Sequence, residues 1–195
     1  MLIFTDPVFL GFLFCAVLVY YEKSENVLQA IVTTPLKPSQ YLTSKVITLT
    51  FVAVFVSVIV TIFPYAIENE FEWTRLWYLV AAVGLSAPVG ILTGFIIGAR
   101  YKTFNEYLLS MMPYILLLMI PMLSSSGITE DYWFYYLIPT QGTLLLINAL
   151  WSSVETWQII YAICYLIVWI GILAKISLRS YERYFIIEQG GRRHE

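Results

Sequence analysis

Charge is scarce in this sequence. Of its 195 residues only 12 % are Asp, Glu, Lys or Arg, about half the share usual in soluble domains. A soluble globule of this size needs far more charge on its surface, which excludes a water-soluble enzyme. An apolar content of 59 % equally excludes a disordered chain. Neither sign of charge dominates: 11 Lys and Arg stand against 13 Asp and Glu, for a net charge of −2, so no nucleic-acid partner is expected. Histidine occurs once, as His194 in the polar tail, and histidine-based chemistry inside a membrane is excluded with it. The two cysteines, Cys15 and Cys164, lie within apolar runs and read as small hydrophobes, not as a disulfide or a metal site. Ser57, Ser86 and Ser110 lack the histidine that would activate them. No Gly-x-x-x-x-Gly-Lys-Ser/Thr loop is present, so the chain has no such site for ATP. No catalytic, cofactor-binding or metal-binding residue is therefore expected.

What is present is long apolar runs. A spanning helix needs about 20 mostly apolar residues, and five stretches qualify: 2–21, 46–67, 76–99, 107–123 and 157–176. The expected fold is all-α, a polytopic membrane helical bundle forming one transmembrane domain over 1–195. A sixth patch, 135–151, is shorter and is broken by Pro139, Gln141, Gly142 and Asn148. It reads as an outer re-entrant or interfacial segment. Alternating the spans from an inner Glu22–Lys45 loop places Lys23, Lys37, Lys45, Arg100, Lys102, Lys175, Arg179, Arg183, Arg192 and Arg193 on one side, with only Arg75 opposite. By the positive-inside rule that side, with the C-terminus, is cytoplasmic. No charge lies deep in the four cleanest spans, which disfavours an ion-coupled carrier and favours a hydrophobic or amphipathic substrate.

Two local patterns stand out. On the span 76–99, Ser86, Gly90, Gly94 and Gly98 recur every four residues. Such a stripe lets helices approach closely, within one subunit or at a gating or dimer face. In the inner loop Val27, Leu28, Ile31 and Val32 recur at helical spacing, opposite Glu22, Glu25, Asn26 and Gln29. This predicts a short amphipathic inner helix over 22–34. Thr34-Pro35 ends it, and Ser39 is placed to cap the next helix. Spacing alone leaves two readings of the amphipathic helix: an anchor lying at the lipid surface, or a docking element for a soluble partner.

The order Glu22, a Val27–Val32 helix, Thr34-Pro35-Leu36, Tyr41-Leu42 and Lys45 resembles the inner loop of ABC-2 type transporter permeases. Arg100–Tyr107 is similar to the short loop before a later span of that family, and Ile138-Pro139-Thr140 to its proline-bearing outer segment. Asp6-Pro7, Tyr21-Glu22-Lys23 and Thr34-Pro35-Leu36-Lys37-Pro38 most resemble the bacterial permeases labelled fluoroquinolone exporters. The resemblance implies a multi-pass plasma-membrane export permease without its own ATP site. A separate cytoplasmic ABC ATPase subunit would bind ATP and dock on Glu22, Lys23, Glu25, Val27, Leu28, Ile31, Thr34 and Pro35. A second permease copy or a related permease would complete a dimer, through the family's first and fifth spans. Six spans are usual in that family, so the expectation is that this sequence lacks the first. The competing reading is a non-transport membrane assembly or regulatory subunit with an interfacial docking helix.

Overall fold

The computed structural model describes residues 2–25, 37–68, 73–101, 103–125, 133–149 and 154–183. Within them the side chains at 2–10, 23–24, 63–68, 73–75, 122–125 and 133 are not described. The described residues form α1 (Leu2–Ser24), α2 (Pro38–Glu68), α3 (Trp73–Arg100), α4 (Phe104–Ser125), a 3-10 turn (Trp133–Leu137), α5 (Pro139–Asn148) and α6 (Thr156–Tyr181). There is no strand among them. The protein is an all-helical membrane bundle.

Among the described residues, four helices contain stretches long and apolar enough to cross a membrane: Pro38–Ile62, Leu76–Arg100, Phe104–Pro121 and Thr156–Tyr181. Helix α1, with 23 residues, extends about 34 Å at 1.5 Å per residue and runs unbroken through Asp6-Pro7. Helix α2 starts at Pro38, well before the uninterrupted apolar run. Ser39 falls inside it and is not its cap, contrary to the expectation from sequence. The Gln40 side chain closes this helix start instead, its Oε1 accepting from the Lys37 N–H at 3.0 Å. That is half of a capping box, with proline in the first helical position, where no donor is missed.

Helix α3 is the centre of the bundle and packs against α1, α2, α5 and α6. In its apolar stretch 67 % of residues are buried, against 17 % in α2 and in α6 and 22 % in α4. Side-chain size accounts for the difference. In lipid there is little hydrophobic drive between helices, and small residues that allow backbones to meet select the interface. Helix α3 carries Gly84, Ser86, Ala87, Gly90, Gly94, Gly98 and Ala99. The peripheral helices turn bulk outward instead, as with Ile47, Phe51, Phe55 and Ile59 on α2, all exposed.

Helix α5 has ten residues, about 15 Å, or half the hydrocarbon thickness. Thr140 to Ile147 are all buried, so every face of the helix is covered, by α3, α4 and α6. Its entry is held by α6: the Tyr161 hydroxyl donates to the Tyr136 carbonyl and the Tyr165 hydroxyl to that of Leu137. Tyr161 and Tyr165 stack at 5.3 Å between ring centres.

Candidate functional site

The α1–α3 contact is nearly backbone on backbone. A Cβ built on Gly94 would lie 2.4 Å from the Phe12 carbonyl oxygen and 3.0 Å from its Cα. One turn on, a Cβ on Gly98 would meet Ala16 at 3.4 Å. Glycine on α1 meets the packing in turn, since a Cβ on Gly11 would lie 3.0 Å from the Ile91 side chain. The Phe12 carbonyl also accepts from the Tyr107 hydroxyl of α4 at 3.2 Å, so three helices converge on it. Ser86, in the same stripe, is buried and donates to the Val83 carbonyl within its own helix. Gly90 is buried as well.

At the other end of α1 the buried face reaches a charge. Phe12, Cys15, Ala16 and Val19 are buried, and the same helical stripe continues to Glu22. Its carboxylate lies 2.7 Å from the Lys45 ammonium of α2 and also accepts from the Tyr41 hydroxyl. The ammonium sits over the Tyr41 ring, 5.0 Å from its centre. Side-chain exposure is 11 % for Lys45 and 23 % for Glu22. Such a half-buried pair is poorly screened, and removing one partner of a buried pair costs about 3–5 kcal/mol. Beneath it Tyr41 packs on Tyr181 of α6 at 5.2 Å between ring centres and on Phe95 of α3 at 6.4 Å. Tyr181 stacks on Phe95 at 6.5 Å. All three rings are buried, so the ion pair stands on an aromatic base shared by α2, α3 and α6. Ser177, one turn before Tyr181, donates to the Leu92 carbonyl at 3.3 Å and ties α6 to α3.

This arrangement distinguishes the residues expected to dock a partner. Glu22 faces into the bundle, and Glu25 is exposed at the end of α1. Lys23 lies in α1 with its side chain undescribed, and Val27, Leu28, Ile31, Thr34 and Pro35 lie outside the described residues. Sequence reasoning named Glu22 and Lys45 but did not pair them. The signal was available. Glu22 is two turns from Cys15 on one stripe, and Lys45 is the only cation in α2.

A third polar contact lies near the proline of α4. Pro121 has no N–H, which loosens the carbonyls one turn before it. The Thr140 hydroxyl of α5 donates to the Leu118 carbonyl at 2.8 Å. A packing role for this bond predicts a small effect. Thr140→Val should lower the unfolding midpoint in detergent by an amount equivalent to about 0.5–1 kcal/mol, the usual worth of interhelical bonds in membranes. A loss well beyond that in a thermal melt would assign Thr140 a larger role.

A metal site has no support among the described residues, which hold no cluster of three or more His, Cys, Asp or Glu. The apolar helices, a core of glycine contacts and a short buried helix half a membrane long define a polytopic membrane protein. Residues 1–189 match the Fluoroquinolones export permease protein family, and the chain belongs to that family. Two curated relatives, both named Fluoroquinolones export permease protein, come from Mycobacterium tuberculosis strains CDC 1551 / Oshkosh and ATCC 25618 / H37Rv. Each is 31 % identical over 188 residues, covering 95 % of this chain and 77 % of the relative. The class is thus a membrane transport permease, not an enzyme.

Proposed function

We propose that this chain is the membrane subunit of an ABC-2 type exporter, driven by a separate cytoplasmic ATPase that docks on the inner loop. The observation that carries the reading is family membership over nearly the whole chain, joined to a loop whose two ends are tied together by Glu22 and Lys45. The loop-bearing end also holds Lys37, Lys45, Arg100, Arg179 and Arg183, which favours a cytoplasmic position for it and for the C-terminus, in the plasma membrane. The short α5, reached through the 3-10 turn, would be re-entrant from the outer face. The substrate class rests on the relatives' names and on the chain's composition: an amphipathic, aromatic drug such as a fluoroquinolone suits spans rich in aromatic residues with no deep charge. A second permease would sit on α4, where Leu109, Met112 and Leu116 are exposed.

The test is reconstitution in proteoliposomes with the cognate ATPase. ATP-dependent movement of a fluorescent fluoroquinolone is expected. Replacing 26–36 by a Gly-Ser linker of equal length should abolish co-purification of the ATPase and reduce transport at least tenfold. A complex that forms and transports normally with the linker would overturn the docking assignment. Absence of ATP-dependent transport by the unaltered pair would overturn the exporter reading.

A further inference from the structure

We infer that Glu22 and Lys45, with the Tyr41 hydroxyl, form a positioning clasp that holds both ends of the inner loop and the inner end of α6 as one mechanical unit. The inference deepens the proposed function, because it states how displacement of the loop would reach the spans, but its geometry stands without an ATPase.

Three observations carry it. The first is connectivity. Glu22 is in the last turns of α1 and Lys45 in the second turn of α2, so their 2.7 Å contact closes the chain between them into a ring. The second is the base. Tyr41 bonds the clasp carboxylate while its ring lies on Tyr181 and Phe95. Rings are rigid, and contacts in a packed interior transmit displacement with little compression. The third is the asymmetry of α6. Its inner end is fixed to α3 through Ser177 and Leu92 and to the clasp through Tyr181, while its outer part holds the entry of α5 through Tyr161 and Tyr165. A load on the loop therefore has a route through Tyr41 and Tyr181 into α6, and along that helix to Tyr165, Tyr161 and the entry of the buried half-length helix. A charge that serves only as a docking contact would need neither the Lys45 partner nor the Tyr41 bond.

Glu22→Gln keeps the shape of the side chain and removes the charge. The clasp alone is tested on the full chain in nanodiscs. Spin labels go on Glu25→Cys and Arg179→Cys, both at exposed positions, in a Cys164→Ser background where buried Cys15 stays unlabelled. The expected distance distribution is narrow with the native pair and at least twice as broad with Glu22→Gln. It should narrow again in the exchange Glu22→Lys with Lys45→Glu. Equal widths in all three would overturn the clasp. The reconstituted pair then reads its consequence. With Glu22→Gln the ATPase should co-purify in native yield, while transport per ATP hydrolysed falls about tenfold and recovers to within threefold in the exchanged variant. Loss of co-purification with Glu22→Gln would make Glu22 a docking contact and overturn the inference. So would a lower melting temperature with transport per folded molecule unchanged, which would make the pair merely structural. Failure of the native pair to transport would instead count against the exporter reading, and the spin-label widths would still decide the clasp.

Discussion

Gly94→Leu should prevent α1 from seating on α3. A Cβ at this position would lie 2.4 Å from the Phe12 carbonyl oxygen and 3.0 Å from the Phe12 Cα, and both belong to backbone, which cannot rotate aside. Overpacking an ordinary core costs about 1–3 kcal/mol, but those sites have flexible side chains as neighbours. Here the whole of α1 must move, and with it the Phe12 carbonyl that accepts from Tyr107. The expected loss is about 3 kcal/mol or more even for Gly94→Ala, and for Gly94→Leu a protein that fails to give a monodisperse peak in detergent. The neighbouring glycines set the scale. Gly98→Ala meets Ala16 at 3.4 Å, an ordinary contact, and should cost less. Gly84→Ala and Gly171→Ala meet nothing within 4 Å and should lie within about 0.5 kcal/mol of the native protein. Melting temperatures of the four alanine variants measured together check the order. If Gly94→Ala melts with Gly84→Ala, the α1–α3 contact is not as close as described.

These glycines show which part of the fold was legible in the sequence. Long apolar runs mark spanning helices by length alone, because lipid offers the backbone no hydrogen-bond partner and forces it into helices. The small-residue stripe was legible for the same kind of reason, since Ser86, Gly90, Gly94 and Gly98 share a face by arithmetic. Which helix fills that face was not. Period-four spacing is satisfied by any neighbour, and only the placement of Phe12 and Ala16 identifies α1. The start of α2 was misread because Ser39 is a good cap by type, whereas Pro38 fixes the first helical position one residue earlier and leaves Gln40 to close the end. The charge cluster at the Glu22 end of α1 was half legible. Glu22, Tyr41 and Lys45 were each picked out as motif residues, but Glu22 was assigned outward, to a soluble partner. Amphipathic patterning of the following residues, which lie outside the described ones, drew the carboxylate to their polar side. The stripe of α1 through Cys15 and Val19 draws it to the bundle.

Lys45→Met should destabilise the protein more than Glu22→Gln, and the reason lies in what each leaves behind. The pair is largely withdrawn from solvent, with Lys45 the more buried of the two. Removing the ammonium strands a carboxylate on a short stem between α1 and α2, with the Tyr41 hydroxyl as its remaining described donor. An unpaired charge in such a place costs about 3–5 kcal/mol. Removing the carboxylate charge strands an ammonium instead, but on a long flexible stem that can reach toward the headgroup region. The Gln amide oxygen still accepts from Tyr41. The expected loss for Glu22→Gln is therefore about 1–2 kcal/mol, nearer to that of a hydrogen bond to a charged group. Combining the two changes leaves no charge unpaired, so the double variant should melt above Lys45→Met alone, and the two losses should fail to add by at least about 1 kcal/mol. Thermal unfolding of the two single variants and the double variant in one detergent closes the cycle. Additive losses would mean that the charges do not depend on each other, and a Glu22→Gln variant less stable than Lys45→Met would mean that the stranded ammonium is the costlier of the two. The same cycle bears on Tyr181: its ring rests on Tyr41 and Phe95, and stability lost through Lys45 but recovered in the double variant would show that this aromatic base holds when the charges above it are gone together.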